Sequence, residues 1–271
     1  MFVAEIGLNH NGDINIARKL IKGAKLAGAD VVKFQKRNPD KCVPDNQKNK
    51  LRDTPWGIMP YIDYKRKIEF GKNEYDEIDR YCKELDIEWT TSIWDLDSLD
   101  FIMQYNVPFI KIPSALITDT NLLYEVRNTF KPVIISTGMS TLYEVANAVK
   151  ILTNRDLTIM HCNSSYPTPD NELNLNAIQT LQKLFPKHII GYSGHETGIH
   201  PTIIAFLLGA KVIERHITLD KSMWGTDQKA SIDIKELTEL ISALNNMPSW
   251  FGNGSISITQ SEWTVKNKLR K

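Results

Sequence analysis

The sequence predicts a single α/β domain in which eight parallel strands close into a (β/α)8 barrel, the TIM-barrel fold. The chain has 271 residues, close to the ~250 residues typical of this fold. Short apolar runs alternate with amphipathic stretches, and this alternation implies a parallel sheet with helical connections. An open, doubly wound sheet is the alternative. The absence of a glycine-rich dinucleotide fingerprint after the first run favours the barrel.

The predicted strands are apolar runs rich in β-branched residues, which favour extended backbone. They cover residues 2–7, 30–35, 89–94, 109–114, 133–138, 157–162, 189–194 and 212–217. The predicted helices are stretches in which apolar residues recur at spacings of three and four. They lie near residues 14–28, 73–86, 97–105, 120–128, 141–152, 175–185, 200–208 and 234–246.

One connection, residues 36–72, is much longer than the others. Structureless loops of this length are uncommon in compact domains and are usually functional. We therefore expect a lid or a subunit contact over the barrel mouth, with a mobile polar insertion as the alternative. The barrel is expected to occupy residues 1–254, and residues 255–271 are expected to form a C-terminal tail.

Composition and charge disfavour several classes of protein. Hydrophobic residues make up 42% and charged residues 24% of the chain, which allows a large core. A net charge of +1 lacks the basic footprint of nucleic-acid-binding proteins. No run approaches the ~18 apolar residues of a membrane span, and no signal-peptide pattern opens the chain. Three widely spaced cysteines fit a reducing compartment, so we expect a cytoplasmic protein without nucleic-acid or membrane partners.

Charged and polar residues occur at the ends of the predicted strands, where α/β barrels carry their active sites. Lys33 and Lys111 lie within predicted strands, and lysine is almost never buried without a partner. Together with the many hydroxyls near the same ends, they predict a cationic cup for a phosphorylated or carboxylated ligand. For any single hydroxyl, capping of a helix N-terminus is the alternative.

Two histidines are candidate metal ligands. His195 and His216 follow or end the last two predicted strands, which are neighbours in a closed barrel. Imidazole ligands suit Mn²⁺, Fe²⁺, Co²⁺ or Zn²⁺. Two histidines alone leave coordination positions open for water or substrate.

Several motifs resemble the sialic acid (N-acetylneuraminate) synthase family, whose members also make legionaminic and pseudaminic acids. The resemblance covers residues 2–254, and it is carried by AEIGLNHNGD, VVKFQ, KIPS, ISTGMST, HCNSSYPTP, GYSGHETG and ERHITLDKSMWGTDQKAS. It implies a transferase that condenses phosphoenolpyruvate with N-acetylmannosamine or a related amino-sugar aldehyde and releases phosphate. It also implies a divalent metal, Mn²⁺ with Mg²⁺ or Co²⁺ as alternatives, and a homodimer.

The resemblance also implies roles for individual residues. Its catalytic set is Glu5, Lys33, Lys111, His195 and His216, in which the two histidines match the metal ligands. Positions that surround phosphoenolpyruvate are matched by Lys33, Lys111, Ser92, Ser114, Ser136, Ser164 and Ser193. Positions that face the sugar or its aldehyde are matched by Glu5, Tyr166 and Asp227.

The chain departs from the family pattern in two places. Two positions after KIPS the family usually has an acidic residue, whereas this chain has Leu116, with Asp119 as the nearest replacement. The family normally adds a C-terminal antifreeze-like domain, which lends an arginine to the partner's sugar site. Here a separate polypeptide would supply it, the chain is truncated, or the 36–72 segment covers the sugar instead.

Three alternative functions stay open from the sequence. A legionaminate- or pseudaminate-type synthase would use a 2,4-diacetamido sugar. A related aldol synthase would use a phosphorylated sugar and would need further basic residues at the mouth, for which Lys36 and Arg37 are candidates. A non-catalytic barrel partner is the third alternative, motivated by Leu116 and the missing domain.

Overall fold

Eight parallel strands form a closed barrel in the computed structural model, which describes residues 1–153 and 156–270. They are β1 (Phe2–Gly7), β2 (Val31–Lys36), β3 (Glu88–Ile93), β4 (Ile110–Ile112), β5 (Val133–Ser136), β6 (Leu157–Cys162), β7 (Ile189–Gly194) and β8 (Val212–Thr218). Each strand pairs with the next, and β8 pairs with β1 to close the sheet. The predicted barrel is confirmed.

A helix follows each barrel strand. The helices are α1 (Ile14–Ala27), α2 (Lys72–Glu84), α3 (Leu96–Ile102), α4 (Thr120–Asn128), α5 (Leu142–Leu152), α6 (Ala177–Leu184), α7 (His200–Leu207) and α8 (Ile234–Phe251). Helix α1 illustrates how the sequence sets the ends. The Asp13 side chain accepts a hydrogen bond from Asn15 N at its start, and Gly28 adopts the left-handed conformation at its end.

The barrel interior changes from apolar to charged along the strands, because alternate side chains face inward. Near the amino-terminal ends, six inward side chains form a separate apolar cluster: Val3, Val31, Phe109, Ile134, Met160 and Val212. Two residues further along β1 and β2, the inward positions carry Glu5 and Lys33. Outward residues such as Ala4 and Val32 pack against the helices in the main core. Burial of each aliphatic side chain contributes about 1.5–3 kcal/mol to the free energy of folding. The apolar amino-terminal half of the barrel and the main core therefore stabilise a fold whose strands carry buried charges at their carboxyl ends.

The 36–72 segment contains secondary structure of its own, which the sequence patterns did not predict. Its elements are the helices Pro39–Cys42, Asp45–Lys48 and Tyr61–Ile68, and a hairpin of Leu51–Arg52 with Met59–Pro60. Tyr64 and Ile68 pack on Leu8, which follows β1, and Trp224, which follows β8, borders the same cluster. The segment therefore lies beside the barrel mouth, as a lid would.

The C-terminal region contains more helix than the sequence predicted. Helix α8 ends at Phe251 rather than near residue 246, and the expected tail contains a further helix, Gln260–Leu269, without buried residues. The remaining short elements are the turns Ser114–Leu116, Asp170–Glu172 and Gln228–Ala230 and the strand Ile232–Asp233, which extends the sheet beside β8. All three cysteines are free. Within the described ranges, no helix is long and apolar enough to cross a membrane.

Candidate active site

A cavity of about 170 Å³ opens at the carboxyl ends of the barrel strands. Strand register brings its walls together, because Glu5 on β1 lies level with Lys33 on β2 and with His216 on β8. All but one of the residues predicted for the site line this cavity: Glu5, Lys33, Ser92, Lys111, Ser114, Ser136, Ser164, Tyr166, Ser193, His195 and His216. The exception is Asp227, which lines an adjoining cavity.

Four buried charges form a connected cluster on the inner wall. Lys33 Nζ lies 2.6 Å from Glu5 Oε2 and 3.6 Å from Glu214 Oε1. Lys111 Nζ donates to both Glu214 oxygens at 2.9 Å. All four side chains are at most 5% exposed. Because an isolated buried charge is costly, the two ammonium groups and two carboxylates stabilise one another.

This pairing corrects the expected cationic cup. Since Glu5 and Glu214 match the charges of Lys33 and Lys111 one for one, these four groups together are neutral when all are ionised. The sequence interpretation counted the lysines and did not assign Glu214 to the site. The signal was available, because Glu214 lies two residues before His216 on β8 and therefore faces the same side of the strand.

The two carboxylates differ in how easily they hold a proton. Glu214 receives both lysines, and despite its burial their charges lower its pKa to about 2. Burial and the negative charge of Glu214 raise the pKa of Glu5 to about 7, although Lys33 lies against it. Burial lowers the pKa of Lys111, and Glu214 offsets part of that effect. Glu5 is therefore the member of the cluster that is poised to exchange a proton near neutral pH.

The serine hydroxyls lie at different positions around the cavity. Ser193 Oγ donates to Glu214 Oε1 at 3.0 Å, and Ser114 Oγ accepts from Gly138 N at 3.0 Å. Ser136 Oγ is buried without a hydrogen-bond partner in the described part of the chain. A Cβ at Gly138 would collide with Ser164 Oγ and lie 2.8 Å from Ser114 Oγ. Glycine at this position therefore keeps the space between the hydroxyls open.

The two histidines lie close together, and burial keeps both imidazole rings neutral. Their ring centroids are 5.4 Å apart. Burial lowers the pKa of His195 to about 3 and that of His216 to about 4, and in His195 the neighbouring His216 adds to the effect. His195 Nδ1 donates to the Asn163 carbonyl at 2.5 Å, so its Nε2 carries the lone pair, to which Tyr166 OH donates at 2.9 Å. His216 Nδ1 is buried without a hydrogen-bond partner among the described residues, and Asp227 Oδ2 lies 3.9 Å away.

These two residues fit a metal site in chemical terms. Divalent ions of the transition series need neutral imidazole nitrogens, and one nitrogen of His216 is buried without a partner in the described structure. Within residues 1–153 and 156–270, no group of three or more His, Cys, Asp or Glu side chains is arranged to hold a metal. His195 and His216 would therefore hold an ion together with oxygen ligands from water or substrate.

A buried ion pair behind the cavity ties the two histidine positions together. Arg215 precedes His216 and faces outward, where its guanidinium donates to Glu196 Oε1 at 3.0 Å and to the Glu196 carbonyl at 2.7 Å. Glu196 follows His195, and its other carboxylate oxygen accepts from Tyr192 OH at 2.9 Å. Both charged side chains are fully buried. The pair therefore fixes the end of β7 relative to β8.

The departure at Leu116 is not compensated by Asp119. Leu116 lies in the turn Ser114–Leu116 and packs against the main core. The Asp119 carboxylate is exposed and accepts from Leu122 N at the start of α4. It caps a helix and does not line the cavity.

The NeuB family model matches residues 20–256. N-acetylneuraminate-9-phosphate synthase of Drosophila melanogaster is 41% identical over 249 residues, which are 90% of this chain and 67% of that protein. N,N'-diacetyllegionaminic acid synthase of Campylobacter jejuni is 36% identical, covering 100% of this chain and 83% of that protein.

A solved structure agrees with both sequence relatives. The N-acetylneuraminic acid synthetase of Leptospira borgpetersenii superposes with a TM-score of 0.85 at 30% identity, over 100% of this chain and 92% of that chain. Because the family model covers most of the chain and the relatives span its barrel from end to end, this chain belongs to the NeuB family.

Proposed function

We propose that this protein is a synthase that condenses phosphoenolpyruvate with an N-acetylated amino-sugar aldehyde, giving a nonulosonic acid and phosphate. The observation that carries the proposal is the single cavity in which two buried lysines and two neutral histidines meet. The lysines would bind an anionic three-carbon donor. The histidines would hold a metal ion that polarises the carbonyl of the acceptor. The names of the related proteins, synthases of N-acetylneuraminate 9-phosphate and of diacetyllegionaminic acid, support the same reaction type.

Lys33 and Lys111 are assigned to the donor. Each ammonium already has a carboxylate partner, so the donor's phosphate and carboxylate would share these cations with Glu5 and Glu214. The added negative charge favours protonation of Glu5, whose pKa is already raised to about 7 by burial. Ser136 Oγ, buried without a partner in the described structure, offers a hydrogen bond to an anionic oxygen.

Bond formation then requires a nucleophilic carbon and an electrophilic one. C3 of the enol phosphate attacks the aldehyde carbon, whose oxygen takes up a proton. Water adds at C2, and the tetrahedral intermediate expels phosphate. We assign the proton transfer to Glu5, because its carboxyl group titrates near neutral pH and lies beside Lys33. Tyr166, whose hydroxyl reaches His195, orients the acceptor.

We assign a divalent metal, Mn²⁺ with Mg²⁺ or Co²⁺ as alternatives, to His195 and His216. When bound there, such an ion supplies Lewis-acid polarisation of a carbonyl oxygen. The test is His216→Ala, with metal content measured by mass spectrometry beside activity. We expect bound metal and turnover to fall together, whereas a variant that keeps its metal would remove His216 from the ligand set.

The reaction is tested by measuring phosphate release from phosphoenolpyruvate with Mn²⁺ and a panel of acceptors. The panel contains N-acetylmannosamine, its 6-phosphate and a 2,4-diacetamido hexose. Turnover with at least one acceptor, together with mass-spectrometric detection of the nine-carbon acid, is the expected result. Release with none of them would contradict the proposal and favour the non-catalytic alternative, which Leu116 motivates.

We propose a cytoplasmic location, because the three free cysteines fit a reducing compartment. The homodimer and a separate antifreeze-like domain protein stay predictions from the resemblance, and sedimentation of the purified protein tests the first.

A further inference from the structure

A second cavity of about 290 Å³ lies beside the active-site cavity, between the 36–72 segment and the loops after β6 and β8. The two cavities share the side chains of Gln35, Trp94 and Tyr166. The two cavities therefore adjoin along these side chains. Two buried cations, Arg37 and Lys65, line the second cavity, and the reaction steps described above use neither.

Lys65 is the more unusual of these two cations. Its side chain comes from the helix Tyr61–Ile68 and is only 8% exposed. Across residues 1–153 and 156–270 its Nζ has no hydrogen-bond acceptor or carboxylate within ion-pair distance, and it contacts the rings of Tyr61 and Tyr64 at 5.4 Å each. Burial of an ammonium without a partner is costly. Such a group points to an anionic ligand.

Arg37 is held on one side only. Its guanidinium lies 4.4 Å from the centre of the Trp94 ring, and one of its terminal nitrogens donates to Gln35 Oε1. Its Nε has no hydrogen-bond partner in the described part of the chain, with Glu69 Oε2 at 3.8 Å. The group is 7% exposed. Arg37 is thus positioned by an aromatic ring, with donor capacity left over for a ligand.

Positive charge exceeds negative charge around this cavity. Asp227 lines it beside the two cations, while Arg52 and Asp53 lie in an adjoining cavity that also includes Lys65. Burial and the charge of Arg37 lower the pKa of Lys65 to about 7, and the charges of Asp227 and Glu69 offset this only in part. A dianion placed between Lys65 and Arg37 would relieve both their burial and their mutual repulsion.

We infer that this cavity binds a phosphate ester at the end of the acceptor sugar farthest from its aldehyde. The inference rests on the proposed function, because the acceptor must first occupy the active-site cavity beside Tyr166. Lysine and arginine are the usual phosphate-binding side chains. The donor's phosphate is assigned to Lys33 and Lys111 inside the barrel, so it does not compete for this position.

The test compares Lys65→Met with Lys67→Met. Lys67 lies on the same helix, is exposed and contacts the Trp56 ring at 4.8 Å, so its replacement removes the same charge outside the cavity. With phosphoenolpyruvate and Mn²⁺, kcat/KM is measured for N-acetylmannosamine 6-phosphate and for N-acetylmannosamine. We expect the wild type and Lys67→Met to prefer the phosphorylated sugar by about 10- to 100-fold. Lys65→Met should lose most of that preference and keep its KM for phosphoenolpyruvate.

Other results would overturn the phosphate site, or both proposals. Equal use of both sugars by the wild type, or turnover with the 2,4-diacetamido hexose alone, overturns the phosphate site and leaves the synthase intact. Absence of turnover with every acceptor overturns both proposals. A raised KM for phosphoenolpyruvate in Lys65→Met would assign the cavity to the donor and also overturn the inference.

A binding measurement on the wild type covers the case in which Lys65→Met does not fold. N-acetylmannosamine 6-phosphate should raise the Tm of the wild-type protein more than the same concentration of N-acetylmannosamine. Inorganic phosphate is added in a third arm to separate a sugar phosphate from the free ion. If the two sugars shift the Tm equally, or if free phosphate alone reproduces the full shift, the acceptor phosphate has no site here.

Discussion

The inside of the barrel and the cavity under the 36–72 segment both bury cations, but they treat them differently. Inside the barrel, Lys33 and Lys111 each contact a carboxylate at 2.6–2.9 Å. Under the segment, Lys65 is also buried, with 8% of its surface exposed, but its ammonium contacts aromatic rings instead. Since buried charges need partners, the first region is electrostatically complete on its own and the second becomes complete with a ligand. The barrel lysines are therefore balanced by protein carboxylates before the donor binds, whereas Lys65 has no such carboxylate among the described residues.

The largest effect should come from breaking the barrel cluster. Glu214→Ala leaves Lys111 and Lys33 to share Glu5, and removal of one partner of a buried pair typically costs about 3–5 kcal/mol. The free energy of unfolding from urea titration measures this loss. Glu239→Ala, at an exposed position of α8, is the control and should change stability little. A loss below about 1 kcal/mol in Glu214→Ala would mean that the cluster does not stabilise the barrel.

A kinetic comparison tests whether the two regions serve different substrates. Lys111→Ala should raise the KM for phosphoenolpyruvate by about 100-fold, as expected when a charged hydrogen bond is lost, and should affect the acceptor KM much less. Initial rates at varied concentrations of each substrate give both constants. An unchanged response to phosphoenolpyruvate would move Lys111 out of the donor site.

The proton on Glu5 gives a pH test of the cluster. Its folded pKa is about 7 and its ordinary value 4.5, so the folded state binds more protons between these values. Stability contributed by Glu5 is therefore fully present below pH 4.5 and is lost as the pH rises through 7, by about 3–4 kcal/mol in total.

Because burial lowers the pKa values of His195 and His216 from 6.5, these residues also make stability depend on pH in this range. The quantity to measure is therefore the difference between the wild type and Glu5→Gln. Unfolding free energies at pH 5 and pH 8 are compared for both proteins. The wild type should lose more stability over this interval than the variant. Parallel pH profiles would show that Glu5 is not protonated in the folded protein at pH 5.

The smallest change in stability is expected for a substitution in the second cavity. Lys65→Met removes a buried ammonium that has no partner among the described residues, so stability without ligand should rise by about 0.5–1 kcal/mol. Because the folded pKa of Lys65 is lowered to about 7, the gain should be larger at pH 6 than at pH 10, where the lysine is neutral when folded. Thermal unfolding at the two pH values measures it. A clear loss of stability would class Lys65 with the barrel lysines.

The periodic patterns in the sequence located the barrel strands and the helices that follow them. Some observed ends differ from the predicted ends because of individual residues. Strand β4 was predicted over residues 109–114 but spans Ile110–Ile112, because Pro113 lacks an N–H for the ladder and leads into the turn Ser114–Leu116. The elements of the 36–72 segment were missed. They are short, and such short helices owe their stability to tertiary packing rather than to periodicity.

The sequence by itself determined the barrel, the strand ends that face its mouth, and most of the residues that meet there. Periodicity and alternation are local properties, and parallel strands deliver their carboxyl ends to one rim. Only the tertiary structure decided which charges are paired. Lys111 and Glu214 are 103 residues apart in the chain, and the partnerless state of Lys65 depends on what the folded segment places around it. Electrostatic pairing acts over a few ångströms in space, a distance that sequence separation does not encode.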